Sequence, residues 1–192
     1  MELIYQYDIA PVIPAPTADS PVVPDSGVEF FPVVEPNGLV VARAAREYCH
    51  SGAKPLHPVV HLHIIDRFSR IYLQKRPLSK KIQPGKWDTA VGGHIDLGES
   101  VEQALLRETR EELGITLHET PQKIAHYVFE SERERELVFV HKIIHDGLIT
   151  PSEELDGGSF WPISSIKENI GKNLFTPNFE SEFLKFESEL KA

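Results

Sequence analysis

The chain has 192 residues, is 41% hydrophobic and carries a net charge of −9. That length and apolar share can bury one good core with an appendage, while the negative balance repels a long polyanion such as nucleic acid. No run of about 18 apolar residues is present to span a membrane, the opening Met-Glu-Leu-Ile-Tyr lacks the positive n-region of a secretory signal, and a single cysteine excludes an intramolecular disulfide framework; a cytoplasmic setting is expected.

In chain order, LIYQY near the N-terminus reads as a short strand that docks on a neighbour or a partner subunit. Residues 11–24 hold five prolines and no basic residue, the composition of an extended arm. We divide the chain into this arm, residues 1–28, and a folded domain, residues 29–192. EFFPVV, the turn Pro36-Asn37-Gly38 and LVVARA predict a hairpin, with a short helical segment at Arg46 to Tyr48. VVHLHII and RIYLQK predict paired strands around Asp66 to Ser69. Strands over 123–130 and 136–145 form a second hairpin with ERER at its tip. Trp161-Pro162 ends a strand and Ser164 starts a short helix. Thr176 caps the last helix and Pro177 opens its first turn; Phe179, Phe183, Phe186 and Leu190 follow at i, i+4, i+7 and i+11 as a core-facing stripe.

The most informative stretch is GHIDLGESVEQALLRETREELGI, residues 93–115. Ser100 and Gln103 predict a capping box, residues 101–113 contain no Gly or Pro, and Gly114 suits a left-handed C-terminal position. On this helix Glu108, Glu111 and Glu112 share an arc of roughly 100°. Carboxylates so crowded repel one another unless a cation sits among them, and hard oxygen ligands on a rigid face suit Mg²⁺ or Mn²⁺. The same string taken alone also suits a solvated acidic face paired with Arg107 and Arg110. Just upstream, residues 67–86 hold seven of the 20 Lys and Arg and no acid; a few basic groups suffice for a compact diphosphate, and Arg76 and Lys80 are the preferred pair.

The spacing decides between these readings. Gly93, Glu99, Arg107-Glu108, Arg110-Glu111-Glu112 and Gly114-Ile115 stand as in the signature of the Nudix superfamily, which this chain resembles, with Thr109 where the family usually has an aliphatic residue. The resemblance implies an α/β/α sandwich around a mixed β-sheet, here with an N-terminal extension, and cleavage of a diphosphate linked to another moiety with Mg²⁺ (or Mn²⁺). By match, Glu108, Glu111 and Glu112 would bind metal, with the Gly93 carbonyl a further ligand. The general base would be one of these glutamates or a residue elsewhere; a glutamate outside the signature often serves, which makes Glu136 a candidate. Glu99 and Arg107 would brace the loop against the helix. The superfamily also leaves a homodimer open.

RPLSKKIQPGKW, VGGH and LGES are similar to the type I isopentenyl-diphosphate isomerases, a branch of the same superfamily. That likeness implies a second divalent-metal site from His50, His57, His94, Glu134 and Glu136, diphosphate contacts from Arg76 and Lys80, and a substrate pocket bearing Trp87 and Trp161. It also exposes a departure. The isomerases need a cysteine two residues before the loop histidine, where this chain has Gly92, and glycine moves no proton. The lone Cys49 reads as an inert core residue, as do the alternating His61, His63, His141 and His145 as packed or hydrogen-bonded strand positions. The expected function is therefore hydrolysis of a small-molecule diphosphate, such as a nucleoside diphosphate derivative; isomerisation of isopentenyl diphosphate is the second reading and a non-catalytic nucleotide sensor the third.

Overall fold

The computed structural model describes residues 28–192; the proposed N-terminal strand and the proline-rich arm lie outside the described residues. The elements are β1 (Phe30–Val34), β2 (Val40–Ala45), α1 (Arg46–Cys49), β3 (Leu56–Ile65), β4 (Arg70–Lys75), β5 (Trp87–Asp88), β6 (Val91–His94), α2 (Val101–Leu113), β7 (Gln122–Glu130), β8 (Arg135–Ile144), β9 (Gly158–Pro162), α3 (Ile163–Asn169) and α4 (Pro177–Phe186). β1 and β2 form a two-stranded hairpin; the other strands form a mixed sheet in the order β5-β4-β3-β8-β7, with β6 beside β3 and β9 beside β4. No described helix is long and apolar enough to cross a membrane.

The described chain divides into two compact units. One holds the residues up to Val60 with Gly93–Leu105 and Ala125–Phe139. Here Asn37 Oδ1 accepts the Leu39 amide at 3.0 Å and closes the β1–β2 turn, as an Asn-Gly pair favours. The capping box forms as the sequence predicts: Gln103 N donates to Ser100 Oγ at 3.2 Å and Ser100 N to Gln103 Oε1 at 2.8 Å. Cys49 is buried, and burial pushes its thiol up, away from nucleophilic use.

The other unit holds His61–Gly92, Leu106–Ile124 and Val140–Ala192. β3 and β4 pair antiparallel with Ile65 opposite Ile71. The Asp66 carboxylate fixes the connection, accepting from the Phe68 and Arg70 amides and from Arg70 Nε. The core is Ile65, Ile71, Leu73, Ile166, Phe175, Phe179, Phe183 and Leu190. The expected stripe on α4 is thus present, but the helix stops at Phe186 and Leu190 packs from the turn beyond it. α3 begins at Ile163, one residue before the expected Ser164, with Pro162 at its cap. Gly114 ends α2 at φ +66°, and a Cβ there would lie 3.2 Å from the Thr150 carbonyl, so glycine is needed both for the conformation and for the space.

Candidate active site

The signature glutamates sit on the C-terminal half of α2. Glu112 keeps some exposed surface as a residue, but its carboxyl is enclosed. Burial, then the nearby Glu108 carboxylate, push it up to about 8 against an opposing hydrogen bond from Gly92. Oε2 accepts from the Gly92 amide at 3.3 Å and from Gln74 Nε2 at 3.4 Å. Asp88 raises the same carboxyl further and Lys80 lowers it. An enclosed carboxylate ringed by like charge is a strong reason for a cation to bind there. Glu108 and Glu111 do not converge on Glu112 as a ready ligand set. Arg107 Nη1 holds them, at 2.7 Å from Glu108 and 3.4 Å from Glu111, so a cation has to draw them from that arginine. Thr109, the departure from the aliphatic position, is fully buried.

Upstream, Arg76 is already engaged. Nη1 donates to Asp88 Oδ2 at 3.2 Å, while Nη2 and Nε donate to the Ile82 carbonyl at 3.0 and 3.3 Å. It closes the basic loop on itself, with Arg76 N bonded to Lys86 O. Lys80 pairs with Glu154 at 3.4 Å in an exposed geometry, a contact worth little. Trp87 and Trp161 lie edge to face at 5.1 Å, Trp161 meets Phe175 at 5.6 Å, and the Lys75 ammonium sits 5.0 Å over the Trp87 ring. The Trp161 Nε1 donor is buried with no hydrogen-bond partner among the described residues.

In the first unit the three histidines come together. His50, His57 and His94 each offer a ligand atom, and these lie within 4.8 Å of one another. The His57 and His94 rings are near parallel at 5.5 Å, and His50 stands across both. Phe31, fully buried on β1, stacks on His94 at 4.1 Å and floors the cluster. Glu134 Oε2 is 2.6 Å from His50 Nδ1, and Glu136 is buried on β8 two residues on. The donor chemistry fits a metal. His57 Nδ1 faces the Pro55 carbonyl at 3.0 Å, which fixes the proton there and leaves Nε2 as the lone-pair nitrogen. That Nε2 is buried without a hydrogen-bond partner among the described residues, and burial holds the ring's pKa down, favouring the neutral ligand form. The remaining motif positions are simply placed: Gly93 is buried in β6, and Glu99 Oε2 accepts the Asp96 amide at 3.0 Å within the loop.

The residues that sequence reasoning passed over are Gln74, Asp88, Phe31 and Glu182. Each is brought to its place by strand pairing or helix docking, which no local spacing announces.

The sequence matches the NUDIX domain over residues 55–179, more than half of the chain. This chain belongs to the Nudix family. It is 28% identical to the isopentenyl-diphosphate Delta-isomerase 1 of Photorhabdus laumondii, over 70% of this chain and 81% of that protein. It is 37% identical to the Leifsonia xyli isopentenyl-diphosphate Delta-isomerase, but over only 42% of this chain and 44% of that enzyme. The uncharacterized Nudix hydrolase SCO1686 of Streptomyces coelicolor is 26% identical over 83% of this chain and 89% of that protein. Among solved structures, the DR0079 protein of Deinococcus radiodurans superposes with a TM-score of 0.69 at 19% identity, covering 82% of this chain and 98% of that one; that likeness is one of fold alone.

Proposed function

We propose that this Nudix chain is a divalent-cation-dependent hydrolase that cleaves the diphosphate linkage of a nucleoside diphosphate derivative or a related diphosphate compound, by attack of water on phosphorus. The observation that carries the reading is the enclosed Glu112 carboxyl, pushed to about 8 beside Glu108 on a complete signature helix. Glu108, Glu111 and Glu112 would hold the cation, Mg²⁺ or Mn²⁺. When bound, it neutralises phosphate oxygens and acts as a Lewis acid on them. The protein's own groups do the rest. The Gly92 amide and Gln74 orient Glu112. Lys80, whose charge is felt at Glu112, takes phosphate oxygens, with Arg76 holding its loop in place. Trp87 and Trp161 offer an aromatic wall for the attached group.

A second reading, isomerisation of isopentenyl diphosphate, is favoured by the histidine cluster with Glu134 and by the isomerases among its relatives. Gly92 opposes it, since the residue at that place has no side chain to move a proton. The test is ³¹P and ¹H NMR of the protein with Mg²⁺ and a panel of ADP-ribose, UDP-glucose, NADH and isopentenyl diphosphate. New phosphorus resonances, absent in Glu112→Gln, are expected. Unchanged phosphorus with altered vinyl protons would establish the isomerase reading instead.

A further inference from the structure

Two buried polar side chains of the second unit differ in how they are satisfied. Glu182, on α4, is fully buried and well partnered: its Oε2 accepts from His61 Nδ1 at 2.9 Å and its Oε1 from His63 Nε2. Burial pushes this carboxyl up, but the charges and hydrogen bonds of the two histidines overturn that and hold it well below the usual carboxylate range. Tyr72, on β4, is only 4% exposed, yet its hydroxyl has no hydrogen-bond partner among the described residues, where a buried tyrosine normally finds one. Burial pushes the phenol up, so it stays an O–H donor at neutral pH. Its ring meets Phe160 edge to face at 5.3 Å, and a Cβ on the exposed Gly158 would collide with its hydroxyl. Glycine at 158 is what gives the phenol its place.

Tyr72 lines a hollow of about 580 Å³ walled by β4, β9 and the connection that follows β8, a volume that suits a small organic ligand. Arg70 lines it too, since strand alternation puts the two on one face of β4. Arg70 Nε donates to Asp66 Oδ2 at 2.6 Å, and its Cζ lies 5.6 Å over the Phe68 ring and 5.6 Å over the Phe160 ring. These contacts fix the guanidinium and leave Nη1 and Nη2 without a partner among the described residues. Asp66 Oδ1 is itself taken up by the Phe68 and Arg70 amides. Among the described residues no acidic side chain lines the hollow, and Leu148, 86% exposed, joins Pro151 as its apolar wall.

We propose that this hollow is a binding site for a small organic monocarboxylate with an aromatic or apolar body. The carboxylate is held by Arg70 Nη1 and Nη2 and by the Tyr72 hydroxyl, and the body lies against Phe160 and Leu148. The planar fork of a guanidinium matches the two oxygens of a carboxylate. A single cation, already shared with Asp66, matches one negative charge and not the two of a phosphate monoester, in a chain whose net charge is −9. The free donors and the apolar wall account for both halves of such a ligand.

Titration of the ¹⁵N-labelled full chain with phenylacetate, phenylacetamide, acetate and inorganic phosphate, followed by ¹H–¹⁵N NMR, tests the assignment. Phenylacetate should shift the Gly157, Gly158 and Ser159 amides and saturate in the millimolar range, as a probe of that size does. Phenylacetamide, which lacks the charge, and acetate, which lacks the ring, should each bind about tenfold more weakly or worse. Arg70→Gln should weaken phenylacetate by about tenfold or more and Tyr72→Phe by about threefold or more. Leu148→Asp changes an exposed position, keeps the fold and sets a like charge at the hollow, so it should abolish binding there. No saturable shift with phenylacetate overturns the assignment, as do equal affinities for phenylacetate and either simpler probe. Wild-type affinity in both Tyr72→Phe and Leu148→Asp overturns it even where Arg70→Gln does not fold. Tighter binding of inorganic phosphate overturns the choice of a monocarboxylate. Turnover is not measured in any of these titrations, so the outcome stands apart from the hydrolase reading.

Discussion

Single atoms set much of the chemistry here. His57 shows how: Nδ1 is tied to the Pro55 carbonyl, so Nε2 has a lone pair and no hydrogen-bond partner among the described residues. An unsatisfied buried nitrogen costs stability, and a cation relieves that cost. If His50, His57 and His94 hold a metal, isothermal titration with Mn²⁺ should resolve a class of site that His57→Ala removes or weakens by about 100-fold, as loss of a ligand or of the group hydrogen-bonded to it does. The signature glutamates should still bind Mn²⁺ in that variant. Identical titration curves for wild type and His57→Ala would leave the cluster as a packed histidine stack on Phe31.

At the scale of elements, α4 joins stability to the site. Thr176 Oγ1 accepts the Phe179 amide at 3.2 Å and donates to Asp88 Oδ1 at 2.7 Å. The cap therefore fastens the helix carrying Phe179, Glu182 and Phe183 to the residue that also holds Arg76. Thr176→Ala should cost ~0.5–2 kcal/mol in urea unfolding, the range for a lost N-cap, and Thr176→Ser should recover most of it; a change below about 0.5 kcal/mol would mean that the cap is redundant. This helix also shows what a sequence can and cannot disclose. Its cap and apolar stripe are local patterns, as are the capping box and the glycine stop of α2, so all were legible. Glu182 was not: it lies beside Phe183 among ordinary surface-type residues, and its partners are 121 and 119 positions away. Likewise, only the isomerase likeness groups the three histidines in the sequence, since the folding of the end of α1, β3 and β6, not spacing, brings their ligand atoms within 4.8 Å of one another. The same holds for Arg76, whose engagement with Asp88 follows from β4 pairing with β5.

For the whole molecule, two buried carboxyls pull stability in opposite directions as pH changes. The folded pKa of Glu182 is depressed, so its contribution is present above the unfolded carboxylate value of ~4.3 and is lost as pH falls below it. Asp66, held down by Arg70 and Phe68 against its burial, acts in the same sense. Glu112 is raised to about 8. Its carboxyl is neutral in the metal-free fold, so the stability it leaves intact is fully present below ~4.3 and is withdrawn as pH rises from there through its folded value. In EDTA, the melting temperature should therefore decline from weakly acidic pH towards pH 8. A divalent cation binds the ionised carboxylate and stabilises the fold by linkage, so the thermal shift on adding Mn²⁺ should grow over the same interval. Glu112→Gln separates this carboxyl from every other group: the variant should lose the decline in EDTA and most of the growth in the shift. If the variant and the wild type traced the same curves, the enclosed carboxylate would not be what calls the cation to this helix.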